Sequence, residues 1–329
     1  MAESDKKTEQ GFGKYVLIRK IKEKHTNTFL STIEADKILV STSVLLEGIH
    51  FNLVYFPLKH LGYKAVVSSI ADIYSKKGKP EFITVNIGIS SRFTYEDVET
   101  IIEGIELACQ NYSLKIAELN IDSSLTGLTL ALTSTGTPDS SLSSENRISE
   151  TDIVAVSGDL GAAYMGLQLL ERERKVFEDT GGAQPQLEGK EFVIGKQMKP
   201  EIEVTIFEKI TDAGLVPSSI RVLKEGLASD LIGLAERHQL GCRLYHEKIP
   251  FVQETSEAGN EFGIEPLIAA LSGGDDFEIM LTFPVKDFEK LSKIEGLSII
   301  GHMTPENEAF TLSLQDNSLA ELKAQGWEE

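Results

Sequence analysis

Apolar and polar positions in the first half of the chain follow two different periods. Ile38–Ser43, Phe82–Ile89 and Leu128–Thr135 carry the short apolar runs and alternation that are typical of β-strands. In Leu58–Ala71 the apolar side chains recur every three or four residues, which predicts a helix. A second helix is predicted to begin after Thr94, a residue type that caps helix N-termini. This half is therefore predicted to alternate between strands and helices.

The second half repeats this alternation after the Ser-rich and charged segment Pro138–Glu150, which is typical of a domain boundary. The strand Ile153–Val156 leads through a glycine turn into a helix that begins at Ala162. Further helices are predicted near 199–212, 227–238 and 285–294, and further strands at 241–245, 279–283 and 297–300. The pattern predicts an α/β (α+β) fold in which helices cover mixed sheets. Two domains are expected, at residues 25–148 and 149–329.

The composition narrows the class of protein. A length of 329 residues suits two domains, and a net charge of −19 argues against a nucleic-acid surface. Residues 1–24 differ, with seven basic and four acidic side chains, and are predicted to form a partly disordered leader or, alternatively, a phosphate-contacting arm. The chain shows neither a membrane span nor a signal peptide, so we expect a cytoplasmic protein without a membrane partner. Cys109 and Cys242 are predicted to be buried, inert thiols.

Polar residues that could form a site follow the strand Ile38–Ser43. Glu47 and His50 lie directly beyond this strand, and Asp72 follows a second apolar run. A strand that ends in such a cluster predicts a functional site with two carboxylates.

Two glycine-containing segments in the second half are further candidates. Ser157–Gly161 joins a buried strand to a helix, so its backbone amides could hold a phosphate, or it could be a tight connection with nothing bound. Ser272–Glu278 carries two glycines followed by Asp275, Asp276 and Glu278. Glycines let a backbone approach a ligand closely, which favours a functional segment over a solvated acidic turn.

The ordered segments together resemble thiamine-monophosphate kinase, of the superfamily of aminoimidazole ribonucleotide synthetase and selenophosphate synthetase. The similarity extends from Phe12 to Trp327 and rests on the segments STSVLLEGIHF, LGYKAVVSSIADIYSKKGKP, SSLTGL, VSGDLGAAYMGLQLLERE, ALSGGDDFEIMLTF and AQGW. It implies an N-terminal domain that binds ATP and Mg²⁺ and pairs in a homodimer, and a C-terminal domain that closes over thiamine monophosphate. The implied reaction transfers the γ-phosphate of ATP to thiamine monophosphate.

Several positions depart from the motifs of this family. An Asp pair of the family aligns with Ser31 and Thr32, the Asp before its Leu-Xaa-Glu-Gly motif is Ser43, and a metal-binding Asp is Asn120. The motif Asp-Xaa-Ser-Asp-Gly becomes Val222–Gly226, with Lys224 and Glu225 inside it. Because metal ions held by carboxylates align the phosphates in such transfers, these replacements predict impaired or lost ATP–Mg²⁺ chemistry.

The resemblance also assigns roles to single residues. The assigned residues are Asp72, Lys224 and Glu225 as catalytic, with Asp72 and Glu225 also as metal ligands; Ser43, Glu47, His50, Asn120, Asp122, Gly158 and Gly161 on the ATP side; and Asp275, Asp276, Glu278 and Trp327 on the substrate side. Trp327 could stack on the thiamine ring or only pack against the core. An active kinase and a non-catalytic homologue that binds a ligand or regulates a partner remain the two main hypotheses. Selenophosphate or carbamoyl chemistry ranks last.

Overall fold

Two mixed β-sheets form the framework of the protein. The computed structural model describes residues 38–143, 147–182 and 184–324. The first sheet consists of the strands Leu39–Leu46 (β1), Gly78–Ile89 (β2), Lys115–Ser123 (β3) and Thr129–Pro138 (β4). They lie in the order β1-β4-β2-β3, and only the β2–β3 pairing is parallel. The helices Leu58–Ser75 (α1) and Tyr95–Asn111 (α2) belong to this half. Thr94 caps α2 through a reciprocal capping box with Asp97, as predicted.

The second sheet is larger. Its strands are Ile153–Ser157 (β5), Ser219–Val222 (β6), Leu240–Tyr245 (β7), Ile279–Phe283 (β8), Leu297–Pro305 (β9), Phe310–Ser313 (β10) and Leu319–Glu321 (β11). They lie in the order β11-β10-β7-β9-β5-β8-β6. The helices of this half are Ala162–Thr180 (α3), Glu191–Met198 (α4), Thr205–Asp212 (α5), Leu227–Arg237 (α6), Gln253–Phe262 (α7), Pro266–Ser272 (α8) and Phe288–Leu291 (α9). The expected class, mixed sheets covered by helices, is confirmed.

Helix α1 lies at the junction of the two sheets. Its buried residues cover most of its circumference, because it packs against β1, β2 and β4 on one side and against β6 on the other. The largest apolar cluster accordingly contains side chains from both sheets, for example Leu130 and Leu281. A helix buried on several sides brings its few polar side chains close to loops of both halves, and this contact positions the site described below.

Some elements differ from the sequence prediction. The edge strand β3 was not predicted; all nine of its residues are exposed, so no buried stripe marked it. The helix predicted near 199–212 is shorter, since only Thr205–Asp212 (α5) is helical and Pro200, which cannot donate a backbone hydrogen bond, lies in the connection after α4. The segment 285–294 forms a short 3₁₀ turn and the one-turn helix α9 rather than one helix. The helices α7 and α8 and the strands β10 and β11 were also missed.

Other expectations fall on parts of the chain that the structure does not describe. The leader 1–24, the aligned residues Ser31 and Thr32, and Trp327 lie outside the described residues. Within the described ranges, no helix is both long enough and apolar enough to cross a membrane.

Candidate functional site

A polar stripe along α1 faces the loops of the second sheet. Lys64 lies in this stripe with its side chain only 2% exposed, and its Nζ donates to Asp275 Oδ2 at 2.8 Å and to the carbonyl oxygen of Gln197 at 3.1 Å. Three turns further along the helix, Ser75 Oγ accepts the backbone N–H of Val222 at 2.9 Å. The middle and the C-terminal end of α1 are therefore hydrogen-bonded to different segments of the second half.

Asp72 lies between these two contacts and forms an ion pair with Lys224. The Nζ of Lys224 is 3.0 Å from Asp72 Oδ2, and the two side chains are 23% and 31% exposed. The loop that carries Lys224 is held by Asp230 in the first turn of α6, whose Oδ2 accepts the backbone N–H groups of Lys224 and Glu225 at 2.9 and 3.1 Å. Arg221 Nε in turn donates to Asp230 Oδ1 at 3.0 Å. The ammonium group is thus held beside the Asp72 carboxylate.

The Gly-Gly-Asp-Asp segment packs directly on the loop that carries Lys224. The backbone N–H of Asp275 donates to the carbonyl of Lys224, and that of Phe277 donates to the carbonyl of Leu223, both at 2.9 Å. A Cβ on Gly274 would lie 2.7 Å from the same Lys224 carbonyl, so the close approach of the two loops requires glycine there. The two motifs therefore form one layered unit whose exposed edge includes the carboxylate of Asp275.

The turn before α3 uses its amides within the protein. Asp276, which is 3% exposed, accepts the backbone N–H of Gly161 at 2.9 Å and that of Ala163 at 3.4 Å. A carboxylate at the start of a helix occupies the place that a phosphate takes in other proteins. Complete burial, reinforced by Glu278, raises the pKa of Asp276 to about 8. Gly161 supplies one of these amides, whereas Gly158 lies against the carboxylate of Glu278. A phosphate could reach the amides of Gly161 and Ala163 only by displacing Asp276.

A second buried cluster lies beside Asp276. Lys196 Nζ donates to Glu278 Oε1 at 2.8 Å and lies 3.6 Å from Asp159 Oδ1, and Ser157 Oγ also donates to Glu278. Burial raises the pKa of both Glu278 and Asp159 against the opposing effect of Lys196. Burial alone would lower the pKa of Lys196, but its two carboxylate neighbours outweigh that effect and raise it. The cluster holds more carboxylates than cations, so some of its carboxyl groups stay protonated at a higher pH than exposed carboxyl groups do.

Glu47 and His50 shape the turn that follows β1. Glu47 accepts the backbone N–H of Leu128 at 2.8 Å and pairs with Arg92. His50 Nδ1 accepts the backbone N–H of Leu46 at 3.0 Å. Both side chains therefore contribute to local structure, whatever they contact in a complex.

Ser43, Asn120 and Asp122 are not brought together within one chain. Ser43 lies on β1, and strands β4 and β2 separate it from β3, a distance of about 14 Å at the usual strand spacing. The register pairs Ser43 with the buried Leu132, whereas Asn120 pairs with the exposed Asn86, so the two lie on opposite faces of the sheet. Asn120 Nδ2 donates to Asp122 Oδ2 at 2.9 Å on the exposed edge strand.

The side chains present at the junction do not fit a cluster of Mg²⁺ ions. Mg²⁺ prefers octahedral oxygen ligation and takes its protein ligands mainly from carboxylates. Within the described residues, no group of three or more carboxylate, imidazole or thiol side chains is arranged to hold a metal ion. Asp72 is already paired with Lys224. Residues 28–34, where the family has an Asp pair, lie outside the described residues and are not covered by this statement.

Sequence reasoning missed several residues of this junction. Lys64 was not singled out because it lies inside an otherwise apolar helical run, and its eight-residue spacing from Asp72 was the only available signal. Lys196 carried no local signal, since its partner Glu278 lies 82 positions along the chain, and nothing in the sequence around Arg221 marked it.

Comparisons with known proteins agree with this geometry. Residues 27–137 match the family model described as AIR synthase related protein, N-terminal domain. The thiamine-monophosphate kinase of Aquifex aeolicus (strain VF5) is 27% identical over 250 residues, which cover 75% of this chain and 76% of the relative. A solved structure named "AaThiL complexed with AMPPCP and TMP" has a TM-score of 0.80 at 23% identity and covers 94% of this chain and 96% of that chain. The structure of a HypE-HypF complex has a TM-score of 0.70 at 18% identity, covering 92% and 98%.

Residues 27–137 match the N-terminal domain of AIR synthase related proteins, and the two mixed sheets have the fold of the similar solved structures. The chain is similar to the thiamine-monophosphate kinases of Aquifex aeolicus and Bacillus subtilis, at 27% and 24% identity. The resemblance inferred from the sequence is therefore confirmed.

Proposed function

We propose that this chain is a thiamine-monophosphate kinase homologue whose ATP–Mg²⁺ chemistry is impaired or lost. The Asp72–Lys224 ion pair carries the proposal, because the ammonium group contacts the carboxylate that the family motif assigns to metal binding. Lys224 supplies one positive charge, but a point charge cannot align two phosphate groups as bound metal ions do. Loss of one well-placed electrostatic group costs catalysis on the order of 10²–10³-fold, and several positions differ here.

The ligand classes proposed are those of the kinase family. The relative named as complexed with AMPPCP and TMP supports an adenine nucleotide and thiamine monophosphate as the compounds to test. We assign Asp72, Lys224 and Glu225 to the reacting end of the cleft and Asp275 to its substrate side. Asp276 and Glu278 are buried beneath the cleft, and we assign them to support of the loop and helix that line it.

The direct test is formation of thiamine diphosphate from thiamine monophosphate and Mg-ATP, separated by liquid chromatography. The Aquifex aeolicus kinase serves as the active control under the same conditions. We expect far less product than the control forms, down to the uncatalysed background, and turnover comparable to that of the control would refute the proposal.

A substitution tests the ion pair itself. Lys224→Ser removes the ammonium group and leaves Asp72 available to Mg²⁺, so calorimetry should detect tighter Mg²⁺ binding than in the parent chain. Lys175→Ser, at an exposed position on α3, is the matched control. Equal Mg²⁺ affinity in the parent chain and Lys224→Ser would show that the lysine does not exclude the metal.

The second candidate is a non-catalytic homologue that acts as a ligand-binding or regulatory partner. The same ion pair favours it, because the junction keeps its fold and its charged groups while the metal-ligating set is incomplete in the described residues. Calorimetric binding of thiamine monophosphate or ATP without turnover would support this role. Turnover would exclude it.

We also propose a cytoplasmic homodimer. The face of the first sheet opposite its helices exposes Val44, Leu46 and Phe82, which are 45%, 39% and 42% accessible. Apolar side chains on an open sheet face are typical of a protein interface. Cys109 and Cys242 are buried free thiols, which suits a reducing compartment. Light scattering after size exclusion tests the mass, and a monomer at micromolar concentration would contradict the dimer.

A further inference from the structure

Two adjoining cavities lie beside the Asp72–Lys224 pair, where the end of α1 meets β6 and α6. Each has a volume of about 260 Å³. Their common wall consists of Ser75, Lys76, Arg221 and Arg237. Together, the two cavities form what we call the basic groove, and their combined size is in the range of small-molecule sites.

Cations dominate the lining of the basic groove. The basic side chains are Lys76, Lys77, Arg221, Lys224 and Arg237. The carboxylates that line it are Asp72 and Glu225, both in the first cavity; Asp230 lies behind Arg221. Among the described residues, no carboxylate lines the second cavity. Such a concentration of positive charge is unexpected in a chain with a net charge of −19, and it favours an anionic ligand.

Arg221 pairs with Asp230, but two other cations of the second cavity, Lys77 and Arg237, donate to uncharged acceptors. Lys77 Nζ donates to the carbonyl of Pro217 at 2.7 Å, and Arg237 Nε donates to the carbonyl of Gly233 at 2.8 Å. These carbonyls position the two side chains without neutralising them. Burial lowers the pKa of Lys77, and burial together with Arg221 lowers the pKa of Arg237. The fold therefore keeps these charges close together at a cost that a bound anion would offset.

A buried hydroxyl in the same cavity also has no partner. Ser218 lines the second cavity and is 7% exposed, and its Oγ makes no hydrogen bond with any described residue. Buried polar atoms are nearly always paired in folded proteins. A hydroxyl beside lysine and arginine side chains is a donor set that suits phosphate oxygens.

We propose that the basic groove binds the phosphoryl group of a small phosphorylated metabolite directly through lysine and arginine side chains, without Mg²⁺. The inference rests on the proposed function in one respect only, namely that the ligand of this cleft is a phosphorylated compound. Lys224 lies beside the family's metal-binding position, while Arg221, Arg237, Lys76 and Lys77 extend the cationic surface away from it. The strongly acidic chain and the confined groove disfavour a polynucleotide.

Calorimetry with inorganic pyrophosphate, and separately with ADP, tests the proposal in EDTA and in excess Mg²⁺. We expect saturable binding in EDTA that Mg²⁺ does not strengthen. Arg237→Gln should weaken pyrophosphate binding roughly tenfold, because one charge-assisted hydrogen bond is lost, whereas Arg237→Lys should retain part of it. Lys175→Gln, a lysine outside the groove, should leave the affinity unchanged. Unfolding temperatures of all variants establish that each is folded.

Each of the following titration results would overturn the inference: binding that requires Mg²⁺, equal affinity in Arg237→Gln and the parent chain, or no heat of binding for either compound. A single-stranded oligonucleotide that binds more tightly than pyrophosphate would also overturn it. The kinase assay and the titrations test the two proposals separately. If the proposed function is wrong, thiamine diphosphate forms in the kinase assay. If this inference is wrong, the titrations in EDTA show it.

Discussion

The substitution Asp276→Asn tests the charge state of the carboxyl group buried at the start of α3. Asp276 is 3% exposed and contacts the amides of Gly161 and Ala163. Burial raises its pKa to about 8 in the folded chain, whereas the unfolded chain exposes an ordinary aspartate. Asparagine has nearly the same shape and keeps an acceptor oxygen for Gly161, but it does not ionise.

The sign of the effect follows from proton binding. Between the two pKa values the folded state keeps the proton on Asp276 and the unfolded state has lost it, so the free energy of unfolding decreases as the pH rises. One such group contributes a slope of about 1.4 kcal/mol per pH unit. Between about pH 5.5 and about pH 7.5, the parent chain should therefore lose about 2–3 kcal/mol more stability than Asp276→Asn.

Urea unfolding at several pH values measures this difference. Glu278 and Asp159 also have raised pKa values, but they are common to both proteins and their effects largely cancel in the comparison. Asp316→Asn is the matched control, because hydrogen bonds from Ser318 lower the pKa of this exposed carboxyl and place its titration below the window. Parallel stability curves for the parent chain and Asp276→Asn would refute the assignment of a protonated Asp276.

Three further predictions, each read from urea unfolding, test the packing around the site. Asp275→Asn should lower the free energy of unfolding by about 2–4 kcal/mol, because it leaves the buried Lys64 without its carboxylate. Lys64→Met should lower it less, because the Asp275 side chain that loses its partner is 43% exposed. The reverse order would contradict the burial argument. Gly161→Ala should lower the free energy of unfolding by more than about 1 kcal/mol, since φ is +83° and a Cβ would lie 2.8 Å from a backbone atom. Gly181→Ala is the control, because φ is +71° but no atom lies near the added Cβ, so it measures the effect of the backbone dihedral alone. Thr94→Ala should cost about 1 kcal/mol through loss of the cap of α2, and no change in the urea midpoint would contradict its capping role.

Local signals predicted the elements of the fold that have a continuous apolar run or a clear terminus. The strand at 279–283 and the strand before the glycine turn are short apolar runs that are buried at every position, and the helix after Thr94 has a cap. The edge strand β3 has no buried side, so its pairing with β2 was not encoded in a local pattern. Elements whose stability comes from distant partners were the ones that sequence reasoning missed.

The candidate site shows the same division. The glycines and the acidic run at Asp275–Glu278 were visible as a motif, but the motif did not distinguish the half-exposed Asp275 from the buried Asp276. That difference arises because the backbone of this segment is hydrogen-bonded to the loop at Lys224. This contact directs the carboxylate of Asp275 to the cleft and that of Asp276 to the start of α3.

The sequence by itself determined the family resemblance, the replaced aspartates and the alternation of strands and helices, because these depend on residue identity and short-range spacing. Only the tertiary structure decided that Lys224 pairs with Asp72, that Asp276 occupies the amides of the glycine turn, and that a set of separated basic residues lines one groove. Asp72 and Lys224 are 152 positions apart, so their contact exists only when α1 packs between the two sheets. Side-chain charges interact strongly only over a few ångströms, so these contacts depend on the tertiary structure that brings the residues together.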